Sequence, residues 1–225
     1  MIIAEIGSNP ARYGWKLEPF IRAAKQAGAD AVKIQLFRAE SFPAEEQASK
    51  RVLEFPRDRV EEFVQLAHAS GLQAGASVFD AEAVTLAQKH CDFIKLAARE
   101  EDNRELLINA LTKRGDYKQV YRSVTNRASL NRNFDNRTIH FWVIPEYPTP
   151  LFDALLGVFY AARMFKKYHL KWGWSSHALS KWDCVLAAKK GASVIEKHLC
   201  VSRGDIEAGH SLLPGEFRDM CKWIT

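Results

Sequence analysis

Very little in this sequence offers support from outside an ordinary hydrophobic core. Only four cysteines occur in 225 residues, Cys91, Cys184, Cys200 and Cys221, and none has CxxC spacing. A disulfide framework is not expected in so long a chain, and the four read as reduced thiols. No window nears the roughly 18 uninterrupted apolar residues of a membrane span, and the opening MIIAEIGSNPARYG lacks the basic-then-apolar order of a secretory leader. The expected location is therefore the cytoplasm. GxGxxG and P-loop patterns are both missing, which removes the two usual nucleotide-binding signatures. No linker, repeat or low-complexity stretch interrupts the chain, so a single domain over residues 1–225 is expected. With 47% hydrophobic and 26% charged residues, the composition is that of a globular protein able to bury a substantial core. The net charge of +5 suits acidic partners, either nucleic acid or a small phosphorylated or carboxylated ligand.

What is present is a regular alternation. Short β-rich runs (MIIAEIG, AVKIQLF, LQAGASVF, DFIKLAA, KQVYRSV, IHFWVI, LKWGW, ASVIEKHL) are separated by stretches with apolar residues at helical spacing, such as LEPFIRAAKQAG and TPLFDALLGVFYAARMFKKY. The segment after the fifth strand, TNRASLNRNFDNR, is too short and polar for a strong helix. Eight strand–helix units imply parallel strands joined by right-handed crossovers and closed into a compact (β/α)8 TIM barrel, with the fifth helix weak or missing.

In such a barrel the chemistry sits at the carboxyl ends of the strands. The polar residues there are Glu5 and Asn9, Lys33 and Gln35, Ser77, Lys95 and Glu100, Arg122 or Ser123, Tyr147, Ser175 and His177, and Glu196 and His198. Lys33 and Lys95 stand out because apolar residues flank both. An ammonium group inside a strand is costly unless an anion meets it, either a paired carboxylate such as Glu5 or Glu100 or the phosphate or carboxylate of a ligand. His177 and His198 end the seventh and eighth strands, which are neighbours around a barrel, so two neutral imidazoles can ligate one divalent metal and leave positions open for substrate. Glu207, in the following loop, can approach the same mouth.

The segments IIAEIGSN, AAKQAGADAVKIQLFRAE, SVFD, YPTP, GWSSH and VIEKHL followed by SLLPGEF occur in the order seen in the sialic acid (N-acetylneuraminate) synthase family, and the chain resembles the amino-terminal barrel of that family. The resemblance implies condensation of phosphoenolpyruvate with the aldehyde of an N-acylated amino sugar, giving a sialic-acid-like 2-keto acid and phosphate. It further implies a divalent metal, Mn2+ or Mg2+, on His177 and His198 that polarises the aldehyde. It places phosphoenolpyruvate on Lys33, Lys95, Ser77 and Ser175. Glu5, Gln35, Glu100 and Tyr147 fall where the family handles sugar, water and proton transfer, and Glu207 where it has a sugar-binding aspartate.

The chain departs from the family pattern at several positions. Ala98 and Arg99 replace a serine and a glycine after the fourth strand, and arginine there fills space or supplies a new anion contact. Pro145, Ser176 and Pro10 replace an asparagine, an aspartate and a histidine. The family's amino-terminal hairpin and carboxy-terminal antifreeze-like domain, which caps the partner subunit's site in a homodimer, have no counterpart here, so a separate capping protein is one expectation. Two other readings stay open: a related barrel with a different carbon–carbon lyase or synthase substrate, and a non-catalytic binding protein. The basic stretch KRGDYKQVYRSVTNRASLNRNFDNR, with Tyr117, Tyr121 and Phe134, is the feature that would contact nucleic acid.

Overall fold

Alternate residues of a strand point to opposite faces, and in this protein that alternation sorts a rim-to-rim barrel interior from a helix-covered exterior. The computed structural model describes residues 1–112, 119–132 and 137–225. Eight parallel strands close into a barrel in sequence order: β1 (Ile2–Glu5), β2 (Ala31–Leu36), β3 (Gln73–Val78), β4 (Phe93–Leu96), β5 (Gln119–Val124), β6 (Thr138–Val143), β7 (Trp172–Ser176) and β8 (Val194–His198). Closure is through β8 against β1, with Glu5 opposite His198 and Ile3 opposite Glu196.

The helices that return the chain between strands are α1 (Glu18–Ala27), α3 (Val60–Ala69), α4 (Ala81–His90), α5 (Arg104–Thr112), α6 (Arg127–Arg132), α7 (Leu151–Lys167), α8 (Trp182–Lys189) and α9 (Pro214–Ile224). The segment after β5 forms a helix, α6, of only six residues. One further helix, α2 (Ala44–Arg51), lies in the long connection from β2 to α3 and buries no residue. It builds the rim rather than the wall.

Apolar side chains on the outer strand faces pack beneath the helices as one large cluster. A second cluster, Ile3, Ala31, Phe93, Tyr121, Phe141 and Val194, fills the inside of the barrel at its amino-terminal end. Tyr121 meets Phe93 and Phe141 edge-on, with ring centroids 5.4 and 5.1 Å apart. Glycines make room for these rings. Gly75 pairs with Phe93 and Gly173 with Phe141, and a Cβ on Gly173 would stand 2.8 Å from the Phe141 ring, while one on Gly75 would overlap Phe93. The barrel floor is thus an apolar plug, and the buried charged residues Glu5, Lys33, Lys95 and Glu196 lie above it.

Candidate active site

One turn of the pleat above the plug, the inward positions change from rings to charges. Glu5, Lys33, Lys95 and Glu196 are each at most 4% exposed. Lys33 Nζ donates to Glu5 Oε2 and Ser77 Oγ, and lies 3.6 Å from Glu196 Oε2. Lys95 Nζ donates to Glu196 Oε1 at 2.6 Å and Ser175 Oγ at 3.1 Å, and sits 4.7 Å above the Phe141 ring of the plug. The buried lysines are therefore stabilised first by carboxylates of their own barrel. Glu5 is one of the two partners expected; the other, Glu100, does not reach the lysines, and Glu196, across the barrel, meets them instead.

The four charges are not equivalent. Burial raises the Glu5 carboxyl to about 7, against the pull of Lys33 and with further upward pushes from Glu196 and Glu207. Burial also opposes ionisation of Glu196, but Lys33 and Lys95 overcome it and hold that carboxyl well below the usual range. Burial lowers the Lys95 ammonium, partly offset by Glu196, whereas Glu196 and Glu5 together outweigh burial and raise Lys33. The layer holds two ammonium groups, one firmly ionised carboxylate and one carboxyl that titrates near neutrality.

At the mouth, three imidazoles converge. His177 and His198 have ring centroids 5.4 Å apart, and His210, from the loop after β8, lies 4.5 Å from His198 and 6.1 Å from His177. Burial is the largest cause lowering all three; neighbouring rings add to it at His177 and His210, and Lys33, Lys197 and Lys95 add to it at His198, so that His198 and His210 fall to about 3. The rings are neutral and keep a lone pair for a metal. His177 Nδ1 is 3.0 Å from the Ile144 carbonyl, which can only accept, so Nδ1 carries the proton and Nε2 is the bare nitrogen.

His198 Nδ1 is 2.8 Å from Glu207 Oε2, and Glu207 Oε1 accepts the Ser8 N–H at 2.9 Å. Glu207 reaches this position because Gly7, at φ 49°, has no Cβ to overlap its carboxylate, and because Asn9 Oδ1 accepts the Glu207 N–H at 2.7 Å. Asn9 thus ties the loop after β1 to the loop after β8. Ligand atoms of His198, Glu207 and His210 lie within 4.8 Å of one another, a group able to hold a metal ion. The donor set of neutral imidazoles, with a carboxylate behind one of them, fits a divalent cation.

The charged layer and the imidazoles line one cavity of about 660 Å³, together with Gln35, Ser77, Arg99, Tyr147 and Ser175. Tyr147 lies over His177 with centroids 4.1 Å apart, and burial, then the field of Glu196, pushes its phenol up to about 12. Arg99 stands at the rim and donates to the Ser41 carbonyl at 2.8 Å. Among the expected residues, Glu100 is not brought in: its carboxylate accepts from Asn103 Nδ2 at 2.8 Å, and the neighbouring Glu101 lines the cavity instead. Of the pair Arg122 or Ser123, Ser123 faces the cavity, because strand alternation sends Arg122 outward to the Glu101 and Ser129 carbonyls.

His210 is the residue the sequence reading missed. Its signal was its place ahead of SLLPGEF, one turn after Glu207. The nucleic-acid reading loses Tyr121, buried in the plug, while Tyr117 and Phe134 lie outside the described residues. Among the described residues, no helix is long and apolar enough to cross a membrane.

Comparison with known proteins agrees with this geometry. The chain is 28% identical to N-acetylneuraminate-9-phosphate synthase of Mus musculus over an alignment 255 positions long, covering 99% of this chain and 68% of that protein. It is 25% identical to an uncharacterized protein of Methanocaldococcus jannaschii over 215 residues, covering 89% of this chain and 62% of the archaeal one. The structure of N-acetylneuraminic acid (sialic acid) synthetase from Leptospira borgpetersenii has the same fold, with a TM-score of 0.90 at 22% identity over 99% of this chain and 81% of that one. Spore coat polysaccharide biosynthesis protein spsE of Bacillus subtilis superposes with a TM-score of 0.80 at 24% identity, over 100% of this chain and 66% of its own. The NeuB family model matches residues 20–225, and the chain belongs to that family.

Proposed function

We propose that this barrel catalyses the metal-dependent condensation of phosphoenolpyruvate with the aldehyde of an N-acylated amino sugar, releasing phosphate and a sialic-acid-like 2-keto acid. The observation that carries the proposal is the sharing of one cavity by a neutral imidazole cluster and a buried double-lysine layer. The names of the mouse and Leptospira relatives support the same chemistry. In the overall balance, C3 of phosphoenolpyruvate bonds to the aldehyde carbon, water provides the oxygen that replaces phosphate at C2, and phosphate leaves.

His177, His198 and His210 would hold the cation, with Glu207 orienting His198; when bound, it would supply Lewis-acid polarisation of the aldehyde oxygen. The remaining work falls to this chain's own groups. Lys33 and Lys95, with the Ser77 and Ser175 hydroxyls beside them, form a cradle for the carboxylate and phosphate of phosphoenolpyruvate. That cradle keeps a net positive charge whenever Glu5 is protonated. Glu5, at about 7, is matched to taking up or giving back a proton near neutral pH. Tyr147 stays protonated and presents a hydroxyl donor at the mouth. The plug of Phe93, Tyr121 and Phe141 closes the floor and limits water entry from below.

The test is phosphate release from phosphoenolpyruvate across a panel of N-acyl amino sugars with Mn2+ or Mg2+, alongside measured metal content. Matched formation of phosphate and 2-keto acid, lost in Lys95→Ala and His198→Ala, is the expected result. Metal-independent release, or none with any sugar, would refute the proposal.

A further inference from the structure

We propose that Lys197 is a positioning residue for the imidazole cluster: from behind the barrel wall it grips the residues on both sides of His177 and so fixes that ring against His198. The inference rests on the synthase reading for the assignment of the two imidazoles to a cation.

Strand parity separates Lys197 from the two lysines of the charged layer. On β8, Glu196 and His198 line the cavity, so Lys197 between them points outward, into the layer where α8 packs on β7 and β8. It is fully buried there, and its outward neighbours along the chain, Ile195 and Leu199, belong to the apolar cluster beneath the helices. An ammonium group in such a layer is costly unless its donors are met. Lys33 and Lys95 meet carboxylates, but Lys197 makes no ion pair among the described residues; Asp183, in the first turn of α8, accepts from Trp174 Nε1 at 2.8 Å instead. The donors of Lys197 go to one place: Nζ donates to Ser176 Oγ at 3.0 Å and to the Ala178 carbonyl.

Ser176 and Ala178 flank His177. The alternation that turns Ser176 outward turns His177 inward, so a grip on its two neighbours holds the ring without occupying the cavity. Two other ties reach His177, and both come from the chain that follows β6. Its Nδ1 donates to the Ile144 carbonyl at 3.0 Å, and its own carbonyl accepts the Thr149 N–H at 3.1 Å. Lys197 supplies the tie from β8, where the next residue is His198. One side chain therefore springs from the residue before one imidazole and is hydrogen-bonded to both flanks of the other, and the 5.4 Å between the two ring centroids is held from outside the cavity. Packing alone would be served as well by methionine, which has a similar length and no donor.

The experiment compares wild type, Lys197→Met, Ser176→Ala and Ile195→Val as full chains freed of metal by chelator. Two quantities are read. One is Mn2+ affinity by calorimetric titration; the other is amide hydrogen exchange at Thr149, which reports on the His177 carbonyl, against Leu212, whose N–H donates to the His198 carbonyl at 2.9 Å. The proposal expects Lys197→Met to weaken Mn2+ binding about 10-fold or more, the scale seen when a residue behind a metal ligand is removed, and to speed exchange at Thr149 by a larger factor than at Leu212. Ser176→Ala removes one anchor and no charge, and should show the same pattern to a smaller extent. Ile195→Val, a packing loss in the same layer, should lower the melting temperature with neither change. If Lys197→Met does not fold, Ser176→Ala carries the test. Unaltered Mn2+ affinity in the Lys197 and Ser176 variants, equal acceleration at the two amides, or a matching affinity loss in Ile195→Val overturns the positioning role and leaves the synthase reading standing. Wild type that binds no Mn2+ removes the metal from the synthase reading instead. Exchange then decides Lys197 by itself: acceleration selective for Thr149 upholds the grip on His177, and its absence refutes it.

Discussion

The floor and the mouth of this barrel are made by the same strands and differ by a step of two residues. Along β4 that step separates Phe93 from Lys95, and along β8 it separates Val194 from Glu196 and then His198. At the floor, rings fit into spaces left by glycines, and stability comes from shape and apolar burial. At the mouth, the same burial acts on charges, and the cost is offset only where Glu5 and Glu196 face the lysines. The floor can therefore be read as the part that holds the barrel closed, and the mouth as the part where burial is turned into altered acidity.

The largest effect expected from breaking this contrast is at the floor. Phe141→Ala should cost about 3–5 kcal/mol, and at roughly 2–4 °C per kcal/mol for a chain of this size the melting temperature should fall by about 6–20 °C. If the midpoint barely moves, the plug is not what closes the barrel. Gly75→Ala should come next, about 1–3 kcal/mol, because its Cβ forces the Phe93 ring from its place; urea denaturation would measure it.

At the mouth, Glu207→Gln should leave the melting temperature of the metal-free protein nearly unchanged and weaken divalent metal binding about 10- to 100-fold. A large loss of stability with unaltered metal affinity would make Glu207 a structural tie between two loops instead. A pH series sharpens the role of burial. His198 and His210 are depressed from 6.5 to about 3, so below about pH 6.5 the unfolded chain takes up protons that the folded one does not. With chelator present, their contribution is intact above about pH 6.5 and is lost progressively as pH falls toward about 3. Melting curves across that window should show a shallower slope for His210→Asn than for wild type.

Much of the scaffold was legible because barrel strands and their crossovers repeat a local pattern. Lys33 and Lys95 were legible as site residues because an ammonium group amid AVKIQLF or DFIKLAA has few physical explanations. His177 and His198 were legible as a pair because both end strands that must be neighbours once the barrel closes. Arg122 against Ser123 was decidable in principle from the alternation of KQVYRSV, since Ser123 shares a face with the inward Tyr121. By contrast, nothing local distinguishes Glu100, which accepts from Asn103, from Glu101, which reaches Thr125 and Ser129. Helix α2 was not anticipated because it buries nothing, and its packing leaves no periodic trace.

The sequence by itself determined the order of strands and helices, the parity that turns a residue inward or outward, and the placing of lysines and histidines at strand ends, because each depends on near neighbours in the chain. Only the tertiary structure decided who meets whom: Glu196 between Lys33 and Lys95, Glu207 against Ser8 and over Gly7, and His210 beside His198. Ser8 and Glu207 are 199 residues apart, and they come together only when β8 closes on β1. The acidity of Glu5 and the neutrality of the imidazoles follow from that closure, since burial and charge partners are properties of the finished cavity.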